Sequence, residues 1–129
     1  MSIRTDLVNA LAAALPPEVY RVTGSPSCPD MIVPETFDVR AWASKYTPGP
    51  GSGQLQIDCT VWVLTPLQSP GATDDALDIA SDEVMGVLYE LPWLSAPTAE
   101  RGVMDDSDGA RWHGWRFEVS AYGQIKLED

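Results

Sequence analysis

The stretch that decides the fold is GQLQIDCTVWVLTPLQSPGATDDALDIASDEVMGVLYEL, residues 53–91. Its first half alternates. Leu55, Ile57, Cys59, Val61 and Val63 fall on one side, and Gln54, Gln56, Asp58, Thr60 and Trp62 on the other. A period of two predicts a strand with one buried and one mostly polar face. Thr65 to Gly71 holds two prolines and a glycine, which predicts a crossing loop. The second half changes period. Leu77, Ala80, Val84, Val87, Leu88 and Leu91 recur at helical spacing, with Asp82, Glu83 and Glu90 largely off that stripe. Thr73 is the expected cap, and Asp74, Asp75 and Asp78 suit the positive end of a helix dipole. Pro92 stops the helix.

Working outward, Ile3, Leu7, Val8, Leu11 and Leu15 predict an N-terminal helix closed by Pro16-Pro17. Residues 19–23 (VYRVT) read as a short strand, and Gly24 to Pro34 as a loop with a brief extended piece at Met31–Val33. Phe37, Val39, Ala41 and Ala43 alternate with Asp38, Arg40, Trp42 and Ser44, predicting a second strand. Tyr46 to Gly53 (YTPGPGSG) then forms the tip of an antiparallel hairpin. Ala96 to Met104 reads as a strand, the acidic DDSDG at 105–109 as a turn, and Trp115, Phe117, Val119 and Ala121 as the inward side of a last strand. The expected order is α-β-β-β-α-β-β. The expected class is α+β, a mainly antiparallel sheet with one long helix packed across it and an N-terminal helix.

At 129 residues the chain is expected to be one domain, 1–129. Eight Lys and Arg against nineteen Asp and Glu leave a net charge of −11. That balance argues against a groove gripping DNA phosphates. The opening segment lacks the continuous apolar core of a signal peptide, and no apolar run approaches a membrane span of about 18 residues. The two cysteines are no disulfide framework. Cys59 reads as a buried thiol, and a Cys28–Cys59 bridge stays open.

No chemical constellation is legible. An EF-hand starting at Asp105 would need a bidentate Glu at its twelfth position, which is Arg116. His113 is the only histidine and has no partners in sequence for catalysis or zinc. Asp74, Asp78 and Asp82 share a helix face at i, i+4, i+8, a pattern that permits a metal or a basic partner but is better explained by the helix start. No phosphate loop, dinucleotide fingerprint or nucleophile elbow is present. The reading is therefore no enzyme, no metal and no cofactor. Five tryptophans exceed what this core needs. Trp42, Trp62 and Trp112 lie on nominally polar strand faces, so they and the hairpin-tip Tyr46 are candidate contacts. The competing explanation is a second covered sheet face, under the first helix.

The layout resembles that of the small tail proteins of long-tailed (siphovirus) bacteriophages, above all the tail terminators. The resemblance rests on DLVNALAAALP (6–16), VYRV (19–22), WASKYTPG (42–49), the 53–66 strand, the 74–91 helix and WRFEVSAYGQ (115–124). It implies a structural virion protein at the head–tail junction, assembled in the host cytoplasm. It implies a homohexamer ring that caps the tail tube, stops its polymerisation and joins the tail to the neck. Its partners would be further copies of itself, the tail tube protein and a connector protein, with DNA passing through the lumen unbound and no membrane involved. A head–tail connector, stopper or adaptor, is the alternative within the same machine. A metal-dependent small enzyme and a monomeric binding module are the readings from other classes.

Overall fold

The computed structural model describes residues 3–24, 37–48, 54–65, 70–95, 97–105 and 111–124. The elements are α1 (Ile3–Ala14), β1 (Tyr20–Thr23), β2 (Phe37–Pro48), β3 (Gln54–Thr65), α2 (Pro70–Glu90), β4 (Thr98–Asp105) and β5 (Arg111–Gln124). They form an α+β protein with a five-stranded, mostly antiparallel sheet and two helices. The sheet order is β1-β2-β3-β5-β4. β1 runs parallel to β2, from Tyr20 beside Phe37 to Thr23 beside Arg40, and every other pairing is antiparallel.

The alternating side chains select the buried face. Val63, Val61 and Cys59 of β3 lie between Val39, Ala41 and Ala43 of β2 and Trp115, Phe117 and Val119 of β5. Leu7, Leu11 and Leu15 from the α1 region, and Ala80, Val84 and Leu88 of α2, pack on that same face in one cluster. Fully burying each leucine there stabilises the fold by about 1.5–3 kcal/mol before chain entropy is counted.

Two expectations need correcting. The first helix does not cover a second sheet face, because both helices share one. The reason lies in connectivity: α1 leads within a few residues into β1, whose inward Tyr20 and Val22 continue the same apolar layer. The opposite face carries no helix among the described residues. Second, α2 starts at Pro70 and has no acidic residue in its first turn. Proline suits a first helical position because its φ is preset and its missing N–H is not needed there. Thr73 is thus inside the helix and not its cap, and Asp74 and Asp75 stand a turn further in.

Past α2, the Ser95 N–H donates to the Ser120 carbonyl at 2.7 Å, and the Ser120 N–H donates to Ser95 Oγ at 2.9 Å. These bonds pin the α2–β4 connection to β5. The register between β2 and β3 shifts between Ala43 and Lys45, a bulge that re-aims the strand before the hairpin tip. The expected tip starts later than Tyr46, because Tyr46, Thr47 and Pro48 continue β2 in register with Ile57, Gln56 and Leu55. Residues 49–53, the 25–36 segment containing Met31–Val33 and Cys28, and most of the 105–109 turn lie outside the described residues.

Candidate functional site

The helix-free face is built from the other half of each alternation. Across it run Arg21, Asp38 and Leu64, then Thr23, Arg40, Trp62, Arg116 and Glu100, then Trp42, Thr60, Glu118 and Thr98. Trp62 is partly buried on this face, and the cause is local. Gly102 and Gly114 are register partners on β4 and β5, leaving a gap in the side-chain layer. The Trp62 ring reaches Gly102, where an added Cβ would stand 2.9 Å from Cη2 and 3.3 Å from Cζ3. An added Cβ at Gly114 would collide with the Val63 carbonyl. Trp62 therefore spends its ring partly on intramolecular packing.

The remaining expected contacts divide. Trp42 is partly buried, and Tyr46 is 58% exposed near the hairpin tip. Trp112 is only 5% exposed, so it is a packed residue and not a free contact. It lies in register with Met104, and both stand on the helix-free face. Asp78 and Asp82 are exposed on α2, and the Asp74 side chain lies outside the described residues. Asp78 and Asp82 join Ser81, Met85, Ala99, Trp115 and Phe117 around a groove of about 410 Å³. The Arg101 guanidinium stands 6.0 Å from the Trp115 ring centre, the outer limit of a cation–π contact.

A second, polar basin of about 530 Å³ lies beside Ser44, Lys45, Asp58, Ser95, Thr98, Glu118 and Ser120. Asp58 accepts from Ser120 Oγ at 2.7 Å and from Gln56 Nε2 at 3.0 Å. These hydrogen bonds, Gln56 first, hold its carboxyl below the usual carboxylate range, with Lys45 adding a smaller push.

Other titrating groups belong to the fold. Burial pushes the Cys59 thiol up to about 11, with neighbouring Asp58 adding to it. Cys59 is a free, buried cysteine, and Cys28 lies outside the described residues. Tyr20 donates to Glu83 Oε2 at 3.3 Å, and burial followed by the Glu83 charge raises its hydroxyl to about 12. Tyr20 also stacks on Phe37 at 5.6 Å. His113 is partly buried beside Thr65 and Val103. Among the described residues no three His, Cys, Asp or Glu side chains gather to hold a metal. No helix among them is long and apolar enough to cross a membrane.

Two features escaped the sequence reading. Ile79 and Tyr89 are each 69% exposed on α2. Both fall off the Leu77–Ala80–Val84–Leu88 stripe, so a helical projection of the sequence contains them. The second is Arg21, Asp38 and Arg40, clustered on the helix-free face. Asp38 is 1% and Arg40 5% exposed. Alternation placed Asp38 and Arg40 on a polar face but gave no sign of their burial.

Compared with models of known protein families the chain matches none, and a search of curated proteins likewise found no match.

Proposed function

We propose that the chain is a structural protein of a phage tail, a terminator that assembles as a homohexameric ring on the end of the tail tube. The observation that carries this reading is the placement of exposed apolar side chains. α2 buries one stripe against the sheet yet leaves Ile79 and Tyr89 each 69% exposed, while Tyr46 stands 58% exposed near the end of the β2–β3 hairpin. A closed ring uses a head-to-tail contact, which needs two different patches on each subunit. The outer side of α2 and the hairpin end are two such patches on separate elements.

The ring would stop tube polymerisation, dock the tail on the neck and let DNA pass. A net charge of −11 favours a lumen past which DNA slides without adhering. The function needs no catalysis and no cofactor. The resemblance in layout supports the terminator place in the machine over that of a neck connector.

Sedimentation with preassembled tail tubes tests the reading. The chain is expected to pellet with tubes in a fixed small amount per tube end, independent of tube length. Binding in proportion to tube length, or no binding, would count against it.

A further inference from the structure

Arg21 of β1 and Asp38 of β2 are register partners, and Arg40 follows two residues along β2 on the same face. Among the described residues the cluster holds two guanidiniums against one carboxylate. Arg40 Nη2 stands 3.6 Å from Asp38 Oδ1, an ion pair too long for a good hydrogen bond, with side-chain exposures of 6% and 2%. Arg40 Nε, Arg21 Nη1 and Asp38 Oδ1 are all buried and meet no hydrogen-bond partner among the described residues. Buried polar groups are nearly always satisfied, and a buried charge without a counter-charge is costly. A water molecule can accept from one of these N–H groups but leaves the surplus positive charge in place. An anionic oxygen answers both demands of the two guanidiniums, while Asp38 Oδ1 keeps its ion pair with Arg40. The guanidinium fork matches the oxygens of a carboxylate or phosphate. Arg21 is only partly buried, so the cluster reaches the surface along its side chain.

We propose that Arg21 and Arg40, both beside Asp38 on the helix-free face, form a binding site for a single oxyanion, a carboxylate or a phosphate group. The oxyanion accepts from Arg40 Nε and Arg21 Nη1, while Asp38 neutralises the remaining guanidinium charge. The site does not depend on the ring reading.

The test titrates inorganic phosphate, and separately acetate, into the full chain at ionic strength fixed with sodium chloride. The readouts are the arginine Nε–H resonances and the melting temperature. Phosphate or acetate is expected to shift the Arg40 Nε–H signal saturably and to raise the melting temperature. A preference for phosphate assigns a phosphate group, and a preference for acetate a carboxylate. Arg21→Gln, at a partly exposed position, should bind about tenfold more weakly, as expected for one charge-assisted hydrogen bond. Asp38→Asn, which removes the competing carboxylate, should bind more tightly, a change that a purely structural cluster would not produce. No saturable shift with either anion, or equal affinity in a folded Arg21→Gln variant, overturns the proposal.

Discussion

Trp62 and Gly102 fit each other: the Cη2 atom of the indole lies 2.9 Å from where a Cβ on Gly102 would stand. The two residues sit on strands separated by β5, so the ring bridges across the Gly114 gap. A tryptophan on the polar side of a clean alternation looks like an exposed contact. Here part of its ring closes the sheet, and the residue is partly buried.

Gly102→Ala should therefore destabilise the fold by about 1–3 kcal/mol, the usual cost of overpacking. The cost should shrink when Trp62 is also replaced by Leu. Urea unfolding of the two single variants and the double variant measures that coupling. Additive losses would show that the ring and the glycine do not meet.

Alkaline pH should weaken the fold. Cys59 is raised to about 11 and Tyr20 to about 12, from ordinary values of 9.0 and 10.0. Both are neutral when protonated, and burial of the charged form is the main cost. Their contribution is fully present below the unfolded values and is lost as pH rises through the folded ones. The urea midpoint should hold near neutrality and fall from about pH 9 upward. Cys59→Val should remove the earlier part of that fall.

The same burial predicts an unreactive thiol. In a Cys28→Ser background, Cys59 should react slowly with an aromatic disulfide reagent in native buffer and rapidly in denaturant. Equal rates in the two conditions would mean that β3 is not packed under the helices.

Asp58 offers the opposite sign. Its carboxyl is held low by the Gln56 and Ser120 hydrogen bonds. A depressed group stabilises the fold above its unfolded value, and the contribution is lost as pH falls through the folded value. Ser120→Ala should raise the Asp58 pKa in a carbon-detected NMR titration. Little stability should change near neutral pH, because Asp58 is only partly buried.

How much of this was legible in the sequence follows from what each residue reports. The Leu55–Val63 alternation and the Leu77–Leu88 stripe gave β3 and α2, because periodicity records which side is buried. Periodicity does not record what does the burying. Trp112 and Arg40 both sit on nominally polar faces, and both are almost fully buried. The start of α2 was misplaced because Thr73 is a good cap in isolation, while Pro70 is a better first helical residue. Ile79 was overlooked because it lies between Asp78 and Ala80, amid residues assigned to a charged helix start. The gap at Gly102 and Gly114 depends on a register between distant strands, which no local pattern contains.

If the outer side of α2 is an assembly surface, Ile79→Asp should leave far-UV dichroism unchanged and stability within about 0.5 kcal/mol, as for other exposed positions. It should nonetheless abolish assembly on tube ends. A variant that assembles normally would remove α2 from the interface.

The central claim is termination of the tail tube, and the length of tubes grown with and without this chain tests it most directly. Tail tube protein polymerised alone should give a broad distribution of lengths by electron microscopy. Adding the chain should halt growth and place a ring at one end of each tube. Tubes that keep growing, with bare ends, at saturating amounts of the chain would contradict the account.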